Sequence, residues 1–123
     1  MKKKDKLRLR EYLRHIVEAI YLIETYVEDM DELAFLKDKK TQDAVIRNFE
    51  IIGEASNNVR KHYPEFVGQH DDIPWGVAYE MRNALAHGYF KVDLQIVWNT
   101  IHDDFAKLTQ QVKAVLDHDY PGE

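Results

Sequence analysis

Apolar residues recur three and four positions apart along most of the chain, and no run of four or more alternates strictly between apolar and polar. That period belongs to helices rather than strands and predicts an all-α fold. In the first segment Leu13, Ile16, Val17, Ile20, Ile23 and Val27 share one stripe, while Tyr12, Ala19, Leu22 and Tyr26 widen the apolar arc. One stripe serves the chain's own core, and the surplus invites a partner. Asp31 can cap a short turn through residues 33–36; Asp38-Lys39-Lys40 reads as a charged link, and Thr41 as the next N-cap.

A second long helix is expected over residues 42–62, with Val45, Phe49, Ile52, Ala55 and Val59 inward, ending at Tyr63-Pro64. Residues 65–72 read as a loop. Pro74 suits a first helical position and opens a third helix through Trp75, Ala78, Met81 and Leu85, which Gly88 stops. Asp93 can cap a last helix in which Leu94, Val97, Ile101, Phe105, Leu108, Val112 and Val115 keep the repeat, before Pro121-Gly122 closes the chain. Together these elements predict an up-and-down bundle of four to five helices.

The 123 residues, 45% hydrophobic and without cysteine, fit one domain over residues 1–123 with its own core and exclude disulfides or a Cys-ligated metal. No run approaches the roughly 18 apolar residues of a membrane span, and no signal-peptide pattern is seen, so a cytoplasmic location is expected. Charge changes the picture more. Seven of the 17 basic residues fall by Arg14 against two of the 22 acidic ones, so the rest of the chain holds 10 basic and 20 acidic residues. Such a body repels phosphate backbones, and nucleic-acid contact has to come from a local site or from the basic N-terminus. The plain reading of that N-terminus is a frayed, solubilising helix start.

No two of the six histidines lie at i,i+3 or i,i+4 on one helix, so no metal site is expected. His70-Asp71-Asp72 and His102-Asp103-Asp104 read as solvated surface, because helix neighbours point about 100° apart. Gly53 suits a close helix contact, and Glu54 is either a surface glutamate or a supporting carboxylate for a neighbouring site. The segment from Met81 to Phe90 stands out by gathering polar and ionisable groups at the end of an apolar helix. Asn83 and His87 share a helical face. Arg82 and His87 diverge by about 140° on an ideal helix, so they converge only if the helix unwinds or a second copy crosses a two-fold axis. Arginine offers a permanently charged fork to phosphate oxygens, and histidine titrates near neutrality, a pair suited to metal-free phosphoryl chemistry. A plain helix C-cap with a surface arginine is the alternative.

Arg82-x4-His87-x-Tyr89 reproduces the R-x4-H-x-Y signature of HEPN toxins. The block from Thr41 to Ala55, Ile73-Pro74-Trp75, His87-Gly88-Tyr89-Phe90 and Ile96-Val97-Trp98 resemble the HepT branch in order and spacing. Ala84, Ala86 and the stretch 76–80 depart from the branch pattern at the approach to the motif. The resemblance implies a metal-independent RNA endonuclease, without cofactor, acting as the toxin of a type VII-like toxin-antitoxin pair. In it, two motifs meet in a homodimer cleft; Arg82 and His87 are catalytic, with Asn83 in support, and Glu54 is the candidate for a further supporting carboxylate on its own position rather than on the resemblance. It also implies a minimal nucleotidyltransferase antitoxin that transfers AMP onto Tyr89. The acidic body favours a structured RNA such as tRNA. A non-catalytic helical adaptor or nucleotide-binding module docking the nucleotidyltransferase is the competing reading, and a ligand-free structural bundle the third.

Overall fold

Residues 2–76, 78 and 93–122 are described by a computed structural model, and every regular element among them is a helix. α1 spans Lys3–Val27, α2 Glu32–Leu36, α3 Lys39–His62, α4 Pro64–Gln69, α5 Leu94–Asp103 and α6 Phe105–Asp119. The all-α bundle expected from the periodicity is what forms, with six helical segments among the described residues.

The inward stripes read from the sequence are the core. Leu13, Ile16, Ile20 and Ile23 of α1 meet Val45, Phe49, Ile52 and Val59 of α3, and Phe105, Leu108, Val112 and Val115 of α6, all buried. Val17 is only partly buried at the edge. Rings lock the helices at defined heights: Phe49 meets Phe105 at 5.2 Å between centroids, and Phe35 of α2 meets Trp98 of α5 at 5.5 Å. Of the surplus apolar arc of α1, Leu22 and Tyr26 stay exposed, with Tyr21 beside them, whereas Ala19 is buried and Tyr12 packs partly buried against the core.

Helix starts follow side-chain caps, with one shift from expectation. Asp31 caps α2 by accepting from the Ala34 N–H, and Asp93 caps α5 by accepting from Gln95 and Ile96. α3 is capped by Asp38, whose carboxylate accepts from the Thr41 N–H at 3.0 Å. Thr41 is therefore inside the helix, and Lys39-Lys40 belongs to its first turn rather than to a link. An aspartate three residues upstream simply outcompetes the threonine as acceptor.

Two further expectations are corrected. Residues 65–72 are not all loop, since Pro64 occupies the first position of α4 and Phe66 buries itself below it. The long C-terminal repeat is also broken at Asp104, where φ −115 and ψ −29 separate α5 from α6. Backbone bonds from Asp104 N to Thr100 O and from Leu108 N to Asp104 O continue across the break, so the apolar stripe runs on through it.

At one pole two helix ends converge on the start of α1. The Tyr63 hydroxyl, after α3, donates to the Asp5 carbonyl at 3.0 Å, and the Tyr120 hydroxyl, after α6, donates to the Lys6 carbonyl at 2.7 Å. α3 and α6 thus both run antiparallel to α1. The expectation of a frayed N-terminus is overturned: α1 is helical from Lys3, and these two hydroxyls hold it.

Candidate active-site segment and its flanks

Arg82, Asn83, His87 and Tyr89 lie outside the described residues, as do Met81, Leu85 and Gly88 that were expected to complete and stop the third helix. What the structure defines is how the chain enters and leaves that segment. On the entry side, Ile73, Trp75 and Ala78 are buried, and the Ala78 N–H bonds to the Pro74 carbonyl at 3.0 Å, a helical turn opening where the proline allows it. Trp75 is fixed twice. Its indole N–H donates to the His70 carbonyl at 3.1 Å, and its ring meets Phe66 edge-on at 5.8 Å. Gln111 of α6 donates its side-chain amide to the Asp72 carbonyl at 2.9 Å, tying the turn before Pro74 to the bundle.

On the exit side, Asp93 caps α5 and Trp98 seats that helix on Phe35, with His102 stacked behind at 4.1 Å between centroids. The entry is flanked by a cavity of about 260 Å³ lined by Asp72, Ala78, Asp103, Asp104, Lys107 and Gln111. Three carboxylates against one lysine make this flank acidic. An acidic flank of this kind disfavours an anion beside it.

Glu54 lies exposed on α3, beside buried Gly53 and two positions before buried Ser56. Gly53, expected at a close helix contact, is buried. The Ser56 hydroxyl is fully buried and finds no hydrogen-bond partner among the described residues. The His70-Asp71-Asp72 run is not all solvated surface: His70 is half-buried, its ring 4.5 Å from Phe66. His102 is exposed as expected, its Nδ1 at 2.9 Å from the Trp98 carbonyl. No group of three or more His, Asp or Glu residues among those described could hold a metal. Nor is any described helix long and apolar enough to cross a membrane.

Sequence reasoning missed the roles of Tyr63 and Tyr120. The signal was there, since both precede proline, at Tyr63-Pro64 and Tyr120-Pro121. The residue before proline is pushed out of the α region, so each helix ends at its tyrosine in nearly the same conformation, φ −132, ψ 56 and φ −133, ψ 55.

Comparison with known proteins gives a family and several relatives. The family described as "Ribonuclease HepT-like" matches residues 16–115. A Thermococcus cleftensis protein described as "Probable ribonuclease HepT" is 46% identical over 99 residues, covering 80% of this chain and 87% of that protein. Methanocaldococcus jannaschii supplies two more. "Gamma-glutamylcyclotransferase and putative RNase MJ0434" is 42% identical over 106 residues, 86% of this chain but 46% of that longer protein. "Putative RNase MJ0127" is 35% identical over 123 residues and covers 97% of each chain. No solved structure matches.

Proposed function

Because the chain belongs to the HepT-like ribonuclease family, we propose that it is a metal-independent RNA endonuclease whose site is built from Arg82 and His87 of two protomers. The observation that carries this reading is the spacing Arg82-x4-His87-x-Tyr89 inside the span the family matches.

The chemistry follows from those side chains. An RNA 2′-hydroxyl attacks the adjacent phosphorus while an imidazole accepts its proton. The bond to the 5′-oxygen breaks, that oxygen takes up a proton, and a 2′,3′-cyclic phosphate and a 5′-hydroxyl end remain. His87 carries the proton transfer, a contribution of about 10² to 10⁴ in rate. Arg82 holds the non-bridging oxygens as charge builds on the phosphorane. Asn83 orients the imidazole or a phosphate oxygen, and Glu54 serves as a supporting carboxylate. Two protomers answer the divergence of Arg82 and His87 on one helix, and the exposed arc of Tyr21, Leu22 and Tyr26 is apolar surface that a second copy can cover.

The chain acts as a toxin held in check by a nucleotidyltransferase antitoxin. That partner transfers AMP from ATP onto the Tyr89 hydroxyl: the tyrosine oxygen bonds to the α-phosphorus and pyrophosphate leaves. Each AMP adds a phosphodiester charge two residues from His87, which repels the substrate phosphate. Structured RNA such as tRNA is the target class.

The test is a cleavage assay in chelator with total cellular RNA and the wild-type, Arg82→Ala and His87→Ala proteins, with Tyr89 shown by mass spectrometry to be unmodified. Discrete products with cyclic-phosphate ends, lost in both variants, are expected. An unmodified wild-type protein that leaves RNA intact would overturn the reading in favour of a docking module, and a strict monomer at micromolar concentration would overturn the two-protomer site.

A further inference from the structure

α1 begins in a way that helix energetics disfavour. Its N-cap position is Lys2, which makes no capping bond, and its first turns carry Lys3, Lys4 and Lys6 against a single Asp5. Lysines at a helix N-terminus oppose the macrodipole, and a helix so started frays unless tertiary contacts hold it. Here they do. Leu9 is buried, Tyr63 and Tyr120 bond the carbonyls of Asp5 and Lys6, and the Lys6 ammonium sits 5.5 Å from the centre of the Tyr120 ring.

The outcome is an ordered helix that displays a stripe of cations. Lys3, Lys6, Arg10 and Arg14 follow each other at three- and four-residue steps on one face, spanning about 16 Å. Lys4 and Arg8 lie alongside and are exposed. The stripe borders a groove of about 830 Å³ between α1 and α6, lined by Arg10, Arg14 and Lys113 with Glu18 and Asp117 opposing them. Arg14 pairs with Glu11 at 3.4 Å and with Glu18 at 3.5 Å on exposed surface, contacts weak enough to exchange for a phosphate, whereas Arg10 is half-buried and pairs with Glu11 at 3.3 Å. Antiparallel packing brings Arg60 and Lys61, from the last turn of α3, to the same pole. The rest of the molecule is strongly acidic, so the charge is polarised toward this pole.

We propose that this basic face of α1 is a second RNA-contact surface, gripping the phosphate backbone of the substrate apart from the motif segment. The proposal rests on the ribonuclease reading for the identity of its polyanion. It explains how an acidic protein with an acidic flank beside its site segment holds RNA: cleavage is assigned to one place and most of the charge-driven affinity to another.

The experiment measures binding of fluorescently labelled bulk tRNA to full-length His87→Ala protein as a function of salt, with and without Lys3→Gln, Lys4→Gln, Lys6→Gln and Arg8→Gln. Cleavage of a short oligonucleotide is followed in parallel with His87 intact. The fourfold variant is expected to bind at least about tenfold more weakly and to lose about 3 from the slope of log K against log salt, since each phosphate contact contributes roughly 0.7 to 0.9. It should cleave saturating oligonucleotide at the wild-type rate, with circular dichroism reporting an unchanged fold. A control with Lys37→Gln, Lys39→Gln, Lys40→Gln and Arg47→Gln removes the same charge elsewhere and should leave the slope nearly unaltered. Equal losses in both variants, or none in the first, would overturn the proposal. Retained tRNA affinity with lost capture of the nucleotidyltransferase would also overturn it, giving the surface to the antitoxin. If the chain with His87 intact cleaves no RNA and the His87→Ala form binds none, the ribonuclease reading fails and takes this inference with it.

Discussion

The Tyr120 hydroxyl donates to the Lys6 carbonyl oxygen at 2.7 Å, joining positions 114 residues apart and fastening the last helix to the first. Tyr63 makes the matching bond to Asp5 from the end of α3. Both rings are nearly buried, so replacing either by phenylalanine keeps the packing and deletes only the hydroxyl. Tyr120→Phe and Tyr63→Phe should each cost about 0.5–1.5 kcal/mol in denaturant unfolding. Hydrogen exchange should accelerate in the first two turns of α1 and little elsewhere. Acceleration spread evenly over the bundle would show that these hydroxyls do not act as local clamps.

Tyr63 also makes stability sensitive to alkali. Burial raises its pKa above the usual value of 10.0, the Asp5 carboxylate and Tyr12 add to the rise, and Arg8 opposes it. In the unfolded chain the phenol ionises near 10. Between that value and the higher folded one, the native state binds more protons, so stability falls as pH increases. The contribution is complete below about pH 10 and is lost as pH rises through the folded pKa. Thermal midpoints of wild-type and Tyr63→Phe protein between pH 8 and 11 should converge at the alkaline end, and parallel curves would remove Tyr63 as their cause.

The core was legible because helical periodicity places its residues with no knowledge of partners: every inward position read for α3 is buried, from Val45 to Val59. What the pattern could not resolve were competitions and breaks. Asp38 and Thr41 are both good caps, and only the backbone path decides between them. The Asp104 break keeps the apolar stripe intact and therefore leaves no mark on the periodicity. The N-terminal cations read as a fraying end, because the tyrosines that hold them come from 58 and 114 positions away. For the site, residue types and spacing were readable at Arg82, His87 and Tyr89, whereas the orientation of Glu54 depends on packing that a linear pattern does not encode.

The Asp38 cap carries the opposite pH signature. Its carboxyl pKa is lowered, chiefly by the hydrogen bond from the Thr41 backbone N–H. A depressed folded pKa means that the unfolded chain takes up the proton first as pH drops, so the contribution is present above about pH 4 and is lost as pH falls through the folded value. Asp38→Asn retains an acceptor for Thr41 but cannot titrate, whereas Asp38→Ala loses both. At pH 7 the alanine variant should melt below the asparagine variant, and the asparagine variant should lose less stability than wild type between pH 5 and 2. Identical acid limbs in all three would show that the cap contributes nothing to the pH dependence.

Glu54 lies exposed on α3, so its replacement should be tolerated by the fold. If it acts as the supporting carboxylate, its charge stabilises the imidazolium of His87 and raises that pKa. Glu54→Gln should then keep the unfolding free energy within about 1 kcal/mol of wild type. Its cleavage rate at saturating RNA should drop about tenfold or more, with the histidine limb of the pH–rate profile moved to lower pH. Glu54→Asp, which keeps the charge on a shorter arm, should recover the position of that limb while regaining only part of the rate. A purely structural role would lower the rate without moving the limb, and an unchanged rate in Glu54→Gln would leave Glu54 as ordinary surface.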